Sequence, residues 1–210
     1  MPAKLFFELS EEKKARILHA GLMEFAEHGY ENSSTNRIVK NACISKGSLF
    51  QYFSSKEELY FYILDMVTEE YIADLEQAAS TLSAELFARI REYALAEFTW
   101  YIRHPEPAKL IIHAFTDYHS ELYPEIAARY SMQEDTLFHK LLENVDSTQF
   151  LWDKSKTIHL LKWFLKGFNE DFAAGIKDTG DMDLETIRNK YEIELTEYMK
   201  LLKTGIIRKE

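Results

Sequence analysis

Cysteine is almost absent from this chain of 210 residues, and Cys43 stands alone. One thiol excludes a disulfide framework and a cysteine zinc site within a single chain. Glycine and proline are scarce, at 7 and 4, which excludes collagen-like repeats, low-complexity linkers and disorder as the main state. No apolar run approaches the length that spans a bilayer, and Met1-Pro2-Ala3-Lys4-Leu5 lacks the apolar core of a signal peptide. These gaps lead us to expect a soluble, cytoplasmic protein of one or two domains with no membrane partner.

Rings and acids are plentiful. With 14 Phe, 12 Tyr and 3 Trp the chain has more flat apolar surface than a minimal core needs. The net charge is −10, which argues against general affinity for nucleic acid. Residues 1–60, however, hold eight basic and eight acidic side chains, so the deficit lies entirely in residues 61–210. Between Asn32 and Lys56 there are four cations, Arg37, Lys40, Lys46 and Lys56, and no acid. A short basic segment on an acidic body is a plausible footprint for a polyanion, though a chance gap between acids gives the same count.

The apolar periodicity is helical throughout. Ala15, Leu18, Leu22 and Phe25 recur at three and four, Ser10 can cap the start and Gly29 the end, so a helix is expected over 10–28. The capping cluster Asn32-Ser33-Ser34-Thr35 opens a short helix, and Ser45 opens a second over 46–52. Ser54 or Ser55 caps a longer helix from Lys56. Further helices are expected over 82–102, from Pro105 or Pro107, from Tyr123 or Pro124 to 145, and over about 155–177 and 183–204. The expected fold class is all-α, with a three-helix N-terminal domain at 1–55 and a helical domain at 56–210.

Two short helices in tandem suggest a helix-turn-helix. The run Gly29-Tyr30, Ser33-Ser34, Ile38, Ala42, Ile44-Ser45-Lys46-Gly47-Ser48-Leu49-Phe50, Tyr52-Phe53 and Ser55-Lys56-Glu57-Glu58-Leu59 resembles the DNA-binding domain of the tetracycline-repressor (TetR) family in order and spacing over residues 10–60. That resemblance implies an all-α homodimer on a palindromic operator of double-stranded DNA, released by a small hydrophobic effector. Repression is its default, and activation stays open. Two residues depart from the pattern: Cys43 stands where glycine is usual in the turn, and Phe50 where tyrosine is common. A non-glycine residue in a left-handed turn costs on the order of 1 kcal/mol, and an inert, buried thiol is expected there.

The residue chemistry suits that role. Short or flexible side chains at the start of a recognition helix let the backbone approach the bases, and Ser45, Lys46, Gly47 and Ser48 supply them. Ser34, Ser45 and Tyr52 can give hydroxyl bonds to phosphates, and Lys56 a cation. Asn36, Lys46, Gly47 and Gln51 are the candidate base readers, with Arg37 a weaker one that touches backbone.

Two late stripes, Ile158, Leu161, Leu165 and Phe168, and Ile187, Tyr191, Tyr198 and Leu202, are each an ordinary core face by periodicity; the resemblance points them toward a dimer interface, with part of each stripe facing the monomer core. Met66, Tyr93, Trp100, Phe115, Tyr118, Phe138, Trp163 and Phe164 are candidate walls of an effector pocket, with Glu97, His113, Asp117 and His119 as polar groups. The acidic surroundings would suit a cationic aromatic effector. His113 and His119 lie six apart, off the spacing of a helical metal pair, and there is no phosphate loop or nucleophile elbow. We therefore expect no metal, no cofactor and no enzyme activity.

Overall fold

The computed structural model describes residues 1–142, 145, 148, 150–176 and 183–206, with backbone alone for 131–140, 173–176 and 206. Ten helices and no β-sheet occur among the described residues, so the chain is all-α. The helices are α1 (Lys4–Phe7), α2 (Glu11–His28), α3 (Thr35–Asn41), α4 (Lys46–Tyr52), α5 (Lys56–Ala79), α6 (Leu86–Arg103), α7 (Pro105–Thr116), α8 (Tyr123–Leu142), α9 (Lys154–Ile176) and α10 (Leu184–Ile206).

The caps explain most of these boundaries. The Ser10 hydroxyl accepts from the Lys13 N–H, and Glu11 and Glu12 place negative charge at the positive end of α2. Gly29 closes that helix at φ 65°, where its N–H donates to the Phe25 carbonyl at 2.9 Å. Glu58 accepts from the Ser54 N–H at 2.6 Å while its own N–H donates to the Ser55 hydroxyl at 3.0 Å, a reciprocal pairing that starts α5. Pro105 opens α7, where a missing N–H costs nothing.

The chain divides into two compact units, Met1–Ala73 with Arg103–Ser131, and Asp74–Ile102 with Met132–Glu210. The first therefore takes in more chain than residues 1–55. Its core holds Ile17, Phe25, Ile38, Leu49, Phe53 and Leu59, all essentially sealed from water. Helix α2 packs on α3 and α7. Helix α1, which periodicity did not foretell, buries Phe6 among Tyr52, Phe53 and Tyr62, and the Ala3 N–H donates to the Tyr52 carbonyl at 2.8 Å.

In the second unit, the inner faces of α6, α9 and α10 meet. Leu161, Leu165, Phe168 and Tyr191 are buried here within their own chain. Four of the eight residues expected at an interface thus face the core of their own unit, where α6 and the other late helix cover that part of each stripe. Phe98 stacks on Tyr191 with ring centres 4.3 Å apart. Arg89, 7% exposed, donates Nε to the Leu141 carbonyl and Nη1 to the carbonyls of Leu82 and Ser83, both at 3.1 Å. It caps the end of α8 without an acid partner in those bonds.

Candidate nucleic-acid interface

Helices α3 and α4 are joined by a four-residue turn. The Ala42 N–H donates to the Ile38 carbonyl at 2.8 Å and the Ile44 N–H to the Val39 carbonyl at 3.0 Å. Cys43 takes φ 54°, the left-handed conformation expected of a position where glycine is usual. Its thiol is exposed, not buried as expected, at the outside of the turn that Ala42 seals beneath. Ile38, Ala42 and Leu49 are sealed beneath the pair, which fixes what the other faces present.

The outer face of α4 carries Lys46, Gly47, Phe50 and Gln51, all exposed. Lys46 makes no hydrogen bond or ion pair among the described residues. The Ser45 hydroxyl accepts from the Ser48 N–H at 3.0 Å and lies 2.8 Å from the Ser48 hydroxyl, so these two serines cap α4 as well as lining its start. Ser34 makes no capping bond through its side chain, and its hydroxyl is not committed to α3. Asn36 is exposed two residues further along.

Three expected DNA-facing groups sit differently. Tyr52 is buried in its ring, and its hydroxyl accepts from Lys13 Nζ at 3.1 Å. Lys13 is a cation next to this helix that sequence reading missed, since 39 residues separate the partners and no motif links them. Lys56 points inward: Nζ donates to the Tyr30 carbonyl at 2.7 Å and lies 4.2 Å from the centre of the Tyr30 ring. Arg37 is engaged by Glu24, with Nε at 2.9 Å and Nη2 at 2.5 Å from Oε1. Of the four cations in the acid-free window, Lys40 and Lys46 remain exposed without such partners.

Glu24 is 5% exposed. Burial pushes its carboxyl up, but hydrogen bonds from Arg37 and the Ser34 N–H, with the Arg37 charge, outweigh that and hold it below its ordinary value of 4.5. The one buried carboxylate near the window is therefore charged and already neutralised, and it does not spoil the local basic balance.

The expected effector-pocket residues divide between the units. In the first, Phe115 packs edge-on against Tyr130, while Met66 and Tyr118 are exposed, the latter 56%. In the second, Tyr93 and Trp100 are buried, and Trp100 Nε1 donates to Asp74 at 3.1 Å. Phe164 stacks on Phe168. Trp163 is 69% exposed. Met66, Tyr118 and Trp163 thus do not wall an enclosed space: Met66 and Trp163 lie on exposed helix faces, and Tyr118 lies in the turn after α7. The Phe138 side chain falls outside the described residues.

Of the polar candidates, His113, Asp117 and His119 are exposed. Glu97 alone joins the rings: it accepts from Asn169 Nδ2 at 3.0 Å, and the Tyr191 hydroxyl donates to Asn169 Oδ1 at 2.7 Å. Asn169 was not foreseen, since a lone amide on a helix carries no sequence signal. Among the described residues no group of three His, Cys, Asp or Glu is placed to hold a metal ion, and no helix is long and apolar enough to cross a membrane.

Comparison with known proteins agrees with this geometry. Residues 17–63 match the family described as bacterial regulatory proteins, tetR family. The chain is 30% identical over 119 residues to the HTH-type transcriptional activator FasR of Mycolicibacterium smegmatis, which is 57% of this chain and 52% of that protein. It is 26% identical over 156 residues to the HTH-type transcriptional regulator YfiR of Bacillus subtilis, covering 71% and 74%. The chain thus spans about half the length of the first relative and about three quarters of the second. A crystal structure of a TetR family transcriptional regulator from Chloroflexus aurantiacus superposes over 100% of both chains, with a TM-score of 0.70 at 24% identity. That last likeness speaks for the fold.

Proposed function

We propose that this chain, a TetR-type transcriptional regulator by the match of residues 17–63 and its relatives, is a homodimeric repressor reading a palindromic operator and released by a small hydrophobic effector. It acts by binding alone, as a cytoplasmic protein without catalysis, with residues 1–55 reading DNA and 56–210 dimerising and sensing. The observation that carries the reading is the exposed face of α4, where Lys46, Gly47 and Gln51 stand free on a helix anchored from below. Lysine matches guanine O6 and N7, glutamine matches adenine, and glycine lets the backbone come close. Selection of duplexes from a random pool, followed by footprinting, tests it. The expected product is a two-fold symmetric site with half-sites about one helical turn apart or a multiple of it. Enrichment of no sequence would sink the reading.

The homodimer is supported by apolar side chains that α9 and α10 leave to solvent. Leu160, Trp163, Ile193 and Leu201 are exposed, Leu201 at 70%. Of the eight residues expected at the interface, Tyr198 is also exposed, and Ile158, Ile187 and Leu202 are half-buried. Gly167 shares the outer side of α9, with open space where a Cβ would stand, so a neighbouring helix can approach there. Trp163→Glu or Leu201→Glu should halve the mass seen by light scattering and leave helicity intact. A wild-type monomer at micromolar concentration would refute the dimer.

The effector reading rests on the Glu97 carboxylate, linked through Asn169 to the Tyr191 hydroxyl beside the stacked Phe98 and Tyr191 rings, a combination of acid and aromatics that suits a hydrophobic effector carrying a cation. Activation is the second reading, favoured by the activator name that FasR carries. A reporter driven by the selected site separates them: repression lowers expression when the protein is supplied, and activation raises it.

A further inference from the structure

We propose that Glu24 is a positioning residue for DNA reading: from α2, its buried carboxylate fixes the start of α3 and holds the surface cation of Arg37 in an ion pair. The inference rests on the DNA-reading function above. Glu24 is the acid buried among the described residues, and an isolated carboxylate in that setting would be costly. It is satisfied by three N–H groups. The Ser34 N–H reaches Oε1 at 2.7 Å, and Arg37 closes on it with Nε and Nη2. Arg37 Nη2 also donates to the Asn32 carbonyl at 2.8 Å.

One carboxylate thus ties together α2, the connecting loop and α3. The Ser34 N–H is a backbone donor at the helix start that a capping side chain within the segment would ordinarily satisfy. Here Glu24 satisfies it from another helix, and the Ser34 hydroxyl is left free. Asn36 stands between the two anchored residues, so a shift of either anchor moves this candidate base reader and the turn that leads into α4. Arg37, by contrast, has its planar fork filled by Glu24 and Asn32. A guanidinium held in this way adds no net charge to the footprint.

The test is the salt dependence of binding for Arg37→Ala, Glu24→Gln and the double variant Glu24→Gln/Arg37→Gln. Two duplexes serve as probes, one of random sequence and one that the wild type enriches from a random pool. Arg37→Ala should leave the salt slope unchanged on both. Glu24→Gln should release Arg37 and steepen the slope on random DNA by about 0.9 per subunit, an extra loss of about 3.5-fold per subunit between 50 and 200 mM salt. Its preference for the enriched duplex should fall at least tenfold, and the double variant should return the slope to the wild-type value. A fall in slope on Arg37→Ala as large as that on Lys46→Ala would overturn the proposal. So would a Glu24→Gln protein that loses affinity with slope and preference both intact, which is how a merely structural ion pair behaves. If Glu24→Gln does not fold, Arg37→Ala decides alone. If the wild type enriches no sequence, operator reading fails, while the slopes on random DNA still judge Glu24.

Discussion

Replacing Lys46 and Lys56 by alanine, one at a time, separates a cation that faces DNA from one that holds the protein together. Lys46 is exposed and without a partner among the described residues, whereas Lys56 is half-buried, with Nζ on the Tyr30 carbonyl at 2.7 Å and over the Tyr30 ring at 4.2 Å. Removing one cation that neutralises a phosphate lowers the slope of log affinity against log salt by about 0.9, so Lys46→Ala in both subunits of a dimer lowers it by about 1.8. Over the range 50 to 200 mM the gap between wild type and variant then narrows by about 12-fold. Lys56→Ala removes a charge-assisted hydrogen bond and a cation–π interaction in a partly exposed setting, together worth about 1–2 kcal/mol. That lowers Tm by about 2–8 °C for a chain of this size and leaves the slope alone. Fluorescence anisotropy with a random-sequence duplex over a salt series reads the slopes, and calorimetry reads Tm. Equal slope changes in the two variants, or none in Lys46→Ala, would refute the division of labour.

Three further outcomes follow from the same geometry. A Cβ at Gly47 meets nothing closer than the Ser45 hydroxyl at 3.8 Å, so Gly47→Ala should stabilise α4 by up to about 1 kcal/mol while affinity for the selected duplex falls on the order of tenfold. A rise in Tm with unchanged binding would show that the backbone does not approach the bases. Arg89→Met leaves the Leu141, Leu82 and Ser83 carbonyls without their donor and should cost about 3–5 kcal/mol in urea unfolding; a loss below about 1 kcal/mol would mean that water replaces the guanidinium. The Glu24 carboxyl is held below 4.5 in the folded chain, so its stabilising contribution is complete above that pH and is lost as pH falls through the lower folded value. Between pH 7 and 3 the wild-type Tm should therefore decline more than that of Glu24→Gln, and parallel curves would contradict the assignment.

Capped boundaries were legible in the sequence because a cap is a local fact. Ser10, Gly29 and Ser45 stand where their chemistry requires, whereas the left-handed turn at Cys43 was legible only through the family resemblance, which has glycine at that place. Helix α1 was not legible: four residues carry no period, and Phe6 is buried only because Tyr52, Phe53 and Tyr62 come from far along the chain to surround it. The inward turn of Lys56 and the capture of Arg37 by Glu24 have the same origin. Their partners lie 26 and 13 residues away, and a side chain that looks like a free cation in sequence is free only if the fold brings no oxygen to it.

The late helices show a different limit, one of register rather than distance. At about 100° per residue, Leu161, Leu165, Phe168 and Phe172 of α9 lie within about 60° of one another, and all four are buried. Leu160, Trp163 and Gly167 gather within a similar arc on roughly the opposite side, and all are exposed. A helix covered on one side within its unit and expected to be covered on the other by a second copy must carry two apolar registers. The longer, more regular one is read first and is then credited with both roles. On α10 the inner register is Tyr191, Leu195 and Met199, and the outer one includes Ile193 and Leu201. The physical criterion that separates them is cost: a charge placed at Leu161 should unfold the unit, whereas one placed at Trp163 should leave it folded and part the proposed dimer. Unfolding by both substitutions would mean that the outer stripe is covered within the chain after all.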